Sequence, residues 1–393
     1  MTDRRVVITG LGAVTPLGND LHETLAGLRE GRSATASAAA IDGAGRQVAE
    51  VLGFSPRQHF RVPKALKLTD RATQFAVASA AMALADGRWT EGVSETERLG
   101  VVIGSSGSDI QVRDLAAAIG PDPDHRAVHD IPYFAERILG GLHPLWLLVN
   151  LPNMVSAHVA IQVCARGPNS TIMTDWVAGS QAIGEAFDWI RRGDVEAVLA
   201  GGSDSGLYPL ACGSYEQGGL FDGDGADQPC AAGEGAAILL LEDRDAATRR
   251  GARILAEIKA YATATSPIDP QAASDGGAMT RTMRAAEQEA GWGQTGALQV
   301  VTAAVFSERF RRVEHAARVR ALVGPERIST REFTSRLGHA LAAAGAIDVA
   351  LSVALAAAGD GCRRILCNAI GYSGQATSLA IEMATGENER TAA

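Results

Sequence analysis

The feature that most limits how this chain can fold is a plan that it uses twice. In the first half a turn is followed by an Ala/Ile-rich helix, then Arg191-Arg192-Gly193-Asp194, a strand from Val195 to Ala200 and the pair Gly201-Gly202. In the second half a turn at His339 is followed by an alanine-rich helix, then Asp360-Gly361-Cys362-Arg363-Arg364, a strand through Ile365-Leu366-Cys367-Asn368 and the glycine-rich Gly371-Tyr372-Ser373-Gly374. A strand–helix unit buries its apolar face only against another layer. A duplicated unit therefore favours two pseudo-symmetric α/β halves packed together, each a mixed sheet with helices on both faces. The break at Arg249-Arg250-Gly251 sets the junction, giving an N-terminal half over residues 1–250 and a C-terminal half over residues 251–393.

Within that plan, helices are expected at Leu21–Arg29, up to Ala85 (Phe75, Ala78, Met82 and Ala85 share a face), Val155–Ala165, Gln181–Arg192, Thr280–Glu289, Glu308–Leu322 and Ala340–Ala357. Strands are expected at Val6–Val14, Leu99–Gly104, Ile238–Leu241, Ile254–Tyr261, Val300–Ala303 and Ser378–Ile381. Ala34–Arg46 and Gly223–Cys230 read as surface loops. Gly10-Leu11-Gly12 lies on the first strand, but the third glycine and the helix start of a dinucleotide turn are absent, so no nucleotide site is expected. Gly140–Met154 is unusually apolar and bracketed by Pro144 and Pro152, which suits a short buried helix or an extended run.

Charge and cysteine usage narrow the function classes. A net charge of −9 with no basic stripe argues against a nucleic-acid partner. Met1-Thr2-Asp3-Arg4-Arg5 runs straight into Val6-Val7-Ile8, which is neither a signal peptide nor a membrane start. The longest apolar stretch, Ala340 to Ala358, is broken by Gly345 and Asp348 and reads as a buried helix, not a membrane span. Cys164, Cys212, Cys230, Cys362 and Cys367 show no C-x-x-C spacing, which fits free thiols in a cytoplasmic protein and argues against structural zinc. No metal and no cofactor are expected.

The stretch that should bear chemistry runs Gly167-Pro168-Asn169-Ser170-Thr171-Ile172-Met173-Thr174-Asp175-Trp176-Val177-Ala178-Gly179-Ser180-Gln181-Ala182-Ile183-Gly184. A β-branched strand turns through small residues into a helix, a place where free N–H groups can hold a developing negative charge. This elbow is similar to that of the β-ketoacyl synthases, roughly G-P-N-x-T-x-x-T-A-C-A-A-G-x-Q-A-I. The opening V-x-I-T-G-L-G-x-V-T-P-L-G, Phe221-Asp222 with Gly233-Glu234-Gly235-Ala236, Gly338-His339 and Gly371–Gly374 follow in family order from about Val6 to Met383. The resemblance implies the thiolase-like fold, a five-layered αβαβα arrangement. It also implies that the family's cysteine falls on Trp176, and an indole cannot attack a thioester. The histidine of the family's H-G-T turn falls at about Ala304, and the lysine of K-x-x-x-G-H falls on Thr334. His339 survives, and Tyr372 stands in the gate loop that donates an oxyanion N–H. His158 is taken as a packing residue. Condensation by this chain alone is not expected.

Two readings follow. In the first, the chain resembles the chain-length factors of type II polyketide synthases, which lack the cysteine and pair with an active ketosynthase as a heterodimer served by an acyl carrier protein. Most such subunits carry glutamine at the cysteine position, and Trp176 departs from that; the Trp146 segment looks closer to the subunits of polyene-forming systems. Trp146, Leu147, Leu148 and Met154 would then line the tunnel or interface, the alternative being ordinary core. Lys64 and Lys67 would meet the carrier's acidic face, the alternative being a solvated loop. In the second reading the chain is a malonyl-thioester decarboxylase using His339 and the backbone N–H groups of Trp176 and Tyr372. No nucleic acid and no membrane enter either reading.

Overall fold

The computed structural model describes residues 4–37, 47–89, 96–107, 112–208, 211–213, 231–266, 276–293, 296–302 and 308–385. Five main strands form the sheet of the first half: β1 (Val6–Val14), β2 (Leu99–Gly104), β3 (Asn169–Ile172), β4 (Ala197–Ser205) and β5 (Ala232–Asp243), the start of β5 also carrying the short hairpin of Ala36–Ser37 and Gln47–Ala49. Five form that of the second: β6 (Ala256–Thr265), β7 (Leu298–Val301), β8 (Ile328–Arg331), β9 (Arg364–Ile370) and β10 (Gln375–Met383). Their order is β3-β2-β4-β5-β1 in one half and β8-β7-β9-β10-β6 in the other. In both, the second strand of the half pairs in parallel with the third and the fourth, and the remaining pairings among these ten strands are antiparallel. The duplicated plan is thus a duplicated topology. The two sheets meet where Val6–Ile8 of β1 pairs antiparallel with β6.

Every residue of β1, β2, β4 and β5 is buried, which explains why aliphatic and small residues dominate them: a strand covered on both faces has no solvent side, and the acids Asp204, Glu234 and Glu242 within them are hydrogen-bonded. The cover comes from α1 (Arg71–Asp86), α2 (Met154–Val163), α3 (Ala178–Arg192), α4 (Gly277–Glu289), α5 (Glu308–Ala321) and α6 (Ala344–Ala357). α1 lies on β1, β4 and β5; α4 lies on β6 and β10 with α5 beside it; α3 and α6 pack on each other and on strands of both sheets. Outer helices, sheet, central helices, sheet and outer helices make the five expected layers. Gly10 and Gly12 let α1 approach β1, since a Cβ at Gly12 would stand 2.0 Å from the Ser79 carbonyl oxygen and one at Gly10 2.1 Å from that of Ala83. That close packing is the use of the early glycines.

A charged bolt fastens the outer helix to the sheet. Glu234, buried on β5, accepts from Arg71 Nε at 2.8 Å and Nη2 at 2.6 Å, from the Val51 N–H at 2.9 Å and from the Ser205 hydroxyl at 2.7 Å.

Several expected boundaries move. α6 begins at Ala344, not Ala340, because Leu341 takes a left-handed φ of 51° and Leu341–Ala343 form a 3-10 turn. α3 begins at Ala178, fed directly by a 3-10 turn at Asp175–Val177. α2 ends at Val163 with Cys164 left-handed at φ 56° and half-buried. The Gly140–Met154 segment does contain a short helix, Trp146–Asn150, but no residue of that helix is buried, which overturns the expectation of a buried helix. Ala304, Phe221, Asp222, the Gly223–Cys230 loop and residues 38–46 lie outside the described residues. Among the described residues no helix is long and apolar enough to cross a membrane, and no cluster of three His, Cys, Asp or Glu side chains could hold a metal ion.

Candidate functional site

The elbow forms where β3 ends. Met173 and Thr174 lead into Asp175–Val177, and α3 follows at once. Trp176 is only 3% exposed. Its indole meets the His339 imidazole edge to face at 4.9 Å between centroids, Phe310 at 6.3 Å and Tyr372 at 6.1 Å. It packs with Leu341 and Ile370 in the apolar core of the second half. A nucleophile would need space around it for an acyl group; here an aromatic cluster fills that space.

His339 reaches the indole from the other half of the chain. Gly338 before it has φ 69°, and a Cβ there would sit 2.7 Å from that of Ala49, so only glycine fits. The main chain of His339 is fixed on both sides, its N–H donating to Ala231 at 2.9 Å and its carbonyl accepting from Gly233 at 3.0 Å. Nδ1 accepts from the Leu341 N–H at 3.3 Å, which assigns the ring proton of the neutral form to Nε2. Burial lowers its pKa to about 3, so the ring is neutral at physiological pH. Thr334, at the position of the family's lysine, is buried at the start of the short helix Thr334–Leu337 and brings no charge.

Asp175 has a role that sequence patterns did not reveal. It takes a left-handed φ of 63°, and its Oδ2 accepts from the Ser373 N–H at 3.1 Å and the Ser373 hydroxyl at 3.4 Å. Burial pushes its carboxyl upward, opposed by the N–H groups of Ser373, Trp176 and Tyr372 and by the Ser373 hydroxyl. The carboxylate is thus held by the gate loop at Ser373, the residue after Tyr372. Asp204 is a second carboxylate missed from the sequence. Fully buried at the end of β4, it accepts from the Ser106 N–H at 3.0 Å, the Ser106 hydroxyl and the Ala342 N–H at 3.2 Å. Burial raises its pKa to about 6 against these hydrogen bonds. An acid after Gly201-Gly202-Ser203 at the end of an apolar strand was the available signal.

The other expected residues lie away from the elbow cluster. Lys64 and Lys67 are exposed on the 3-10 helix Pro63–Leu68. Trp146 is half-buried, its indole N–H donating to Asp114 at 3.4 Å, while Leu147 is 59% exposed and Leu148 and Met154 are half-buried. Met154 opens α2, whose Ser156 hydroxyl bonds Asn169 and Thr171 of the edge strand β3 at 2.7 Å each. His158 is buried in α2, as its packing role requires, and burial lowers its pKa.

Two pseudo-symmetric halves, an elbow at a strand–helix junction and a histidine delivered from the second half define a condensing-enzyme scaffold, here with an indole at the nucleophile position. The profile described as "Beta-ketoacyl synthase, N-terminal domain" matches residues 3–247, and the chain belongs to the β-ketoacyl synthase family. It is 31% identical over 375 residues to "Putative polyketide beta-ketoacyl synthase 1" of Streptomyces virginiae, covering 90% of this chain and 85% of that one. It is 30% identical over 304 residues to a 3-oxoacyl-[acyl-carrier-protein] synthase 2 of Staphylococcus aureus (strain COL), covering 74% and 70%. Among solved structures, the ishigamide ketosynthase/chain length factor superposes with a TM-score of 0.82 at 25% identity, over 98% of this chain and 100% of that one.

Proposed function

We propose that this chain is the non-catalytic, ketosynthase-like subunit of a type II polyketide synthase, a chain-length factor that pairs with an active ketosynthase and shapes the acyl tunnel. The observation that carries this reading is Trp176, a buried indole against His339 where the family's nucleophile would stand. A thioester cannot be attacked there, and one neutral imidazole holds no acyl intermediate. The likeness to a ketosynthase/chain length factor supports the same reading. Nine of the fourteen exposed large hydrophobics among the described residues lie between Val128 and Met173, the excursion that leads to edge strand β3. Apolar surface gathered beside an open sheet edge fits a protein partner, and a second ketosynthase-like chain is the occupant assigned to it. Lys64 and Lys67 are assigned to the carrier protein's acidic face. The finer assignment, a polyene-forming system, rests on the Trp146 segment alone.

The decarboxylase reading needs room for a thioester beside Trp176, where the buried indole packs against both His339 and Tyr372. Two measurements test the proposal. Co-expression with a ketosynthase encoded beside it, followed by sizing, is expected to give a heterodimer. Incubation of the isolated chain with malonyl and acyl carrier thioesters is expected to leave its mass unchanged; a stoichiometric acyl adduct would overturn the reading.

A further inference from the structure

We infer that the carboxylate of Asp175 is a resident anion in a donor cradle that the gate loop forms at Ser373, latching the Gly371–Gly374 turn over the elbow so that no thioester carbonyl can enter. The inference rests on the reading of the site as non-catalytic for its biological sense, and goes beyond it in saying what keeps the site shut besides the indole.

The geometry is specific to a carboxylate held by dipoles. A non-glycine residue in the left-handed region costs about 1–2 kcal/mol, a cost that aspartate and asparagine tolerate better than most residues. Asp175 accepts that conformation at φ 63°, and the result is a side chain turned to the second half of the chain. Its Oδ2 lies 3.1 Å from where a Cβ on Gly371 would be, so the carboxylate fills the space a side chain would take. The turn around it is closed on itself, Gly374 N–H to Gly371 carbonyl at 3.2 Å and Gly371 N–H to Gln375 carbonyl at 2.8 Å. The donors seen at hydrogen-bond distance from it are the N–H and hydroxyl of Ser373, neither of them a cation. N–H and O–H donors converging without a cation are how proteins hold an anionic oxygen. In a catalytic site that oxygen comes from substrate; here it comes from the residue beside Trp176. An emptied cradle would take a small monocarboxylate or a thioester oxygen.

The test uses the full chain and two substitutions that keep the backbone comfortable. Asp175→Gly tolerates positive φ and empties the cradle; Asp175→Asn keeps shape and left-handed tolerance but removes the charge. Hydrogen exchange at Tyr372 and Ser373 is read by mass spectrometry, with peptides of α6 as internal reference. Exchange across this turn is expected to rise about tenfold in Asp175→Gly and less in Asp175→Asn. Formate at tens of millimolar should return the Asp175→Gly turn toward wild-type protection, while chloride at equal ionic strength should not. Unchanged exchange in Asp175→Gly overturns the latch. Faster exchange that ignores formate overturns the anion cradle, and acceleration shared equally with α6 overturns both. An acyl adduct on the wild-type chain would defeat the proposed function without altering these exchange results, so the two failures remain distinguishable.

Discussion

Trp176 and His339 depend on each other: the indole closes the space a substrate would use, and that closure leaves the imidazole dry and neutral. Restoring the thiol alone therefore restores little. Trp176→Cys is expected to show no condensation in the absence of a partner, because Thr334 brings no charge and Ala304 no imidazole; measurable turnover would show those two positions wrongly assigned. The same substitution opens a cavity in the second half's core and should cost about 3–5 kcal/mol of stability, the range for deleting a buried large aromatic. His339 and Asp204 make a pair of pH predictions of opposite sign. With its folded pKa lowered from 6.5 to about 3, His339 is protonated first in the unfolded chain, so its contribution to stability is lost as pH falls through that window. Asp204 is raised from 3.8 to about 6, so the folded state holds a proton the unfolded state releases, and stability falls as pH rises between those values. The gap between variant and wild type isolates each group. In denaturant titrations His339→Asn should gain on wild type as pH drops below 6.5, and Asp204→Asn should gain on it as pH rises from 3.8 to about 6.

At the scale of elements, the glutamate of the Gly-Glu-Gly-Ala block turns out to be structural. Glu234→Ala leaves the Arg71 guanidinium without its bidentate partner and orphans the Val51 N–H. Breaking a buried ion pair costs about 3–5 kcal/mol, and the lower end is expected because Arg71 still reaches water. A fall in the denaturant midpoint at unchanged slope would register it. What was legible in the sequence follows the same division between local and distant causes. Strands covered on both faces announce themselves as continuous apolar strings, and the repeated strand–helix plan carries the two-half topology. The start of α6 was not legible, because an alanine-rich run offers no breaker. The turn that delays it, Leu341–Ala343, is held in part by Asp204, whose carboxylate accepts from the Ala342 N–H 138 residues away. Asp175 was opaque for the same reason: the Ser373 that gives it meaning is 198 residues distant. The excursion before β3 was readable as apolar, with tunnel or interface and ordinary core left as alternatives, since hydrophobicity alone does not say whether the covering surface belongs to the same chain.

For the whole molecule, that excursion is the largest commitment. Ile131 at 79% and Leu139 at 84% exposure are costly to leave in water, and an obligate interface of about 2,000 Å² or more would cover such a surface. Charge on its rim acts differently: Lys64→Glu with Lys67→Glu is expected to slow productive encounter with an acidic carrier, most at low salt, while sizing shows the assembled complex unchanged. The acyl tunnel is the sharper test. Trp146 is held at one end by Asp114 and is half-buried, whereas Leu147 stands more than half exposed, so on the proposed chain-length reading the Trp146 ring would be the firmer stop for a growing chain. Replacing either by alanine frees space for several methylene groups, each worth about 0.8 kcal/mol when buried. Co-expressed with the catalytic partner, Trp146→Ala is expected to yield longer products from an intact complex, and Leu147→Ala to lengthen them less. Loss of assembly in either variant would assign the segment to the interface alone, and unchanged product lengths from an intact complex would remove it from the tunnel wall.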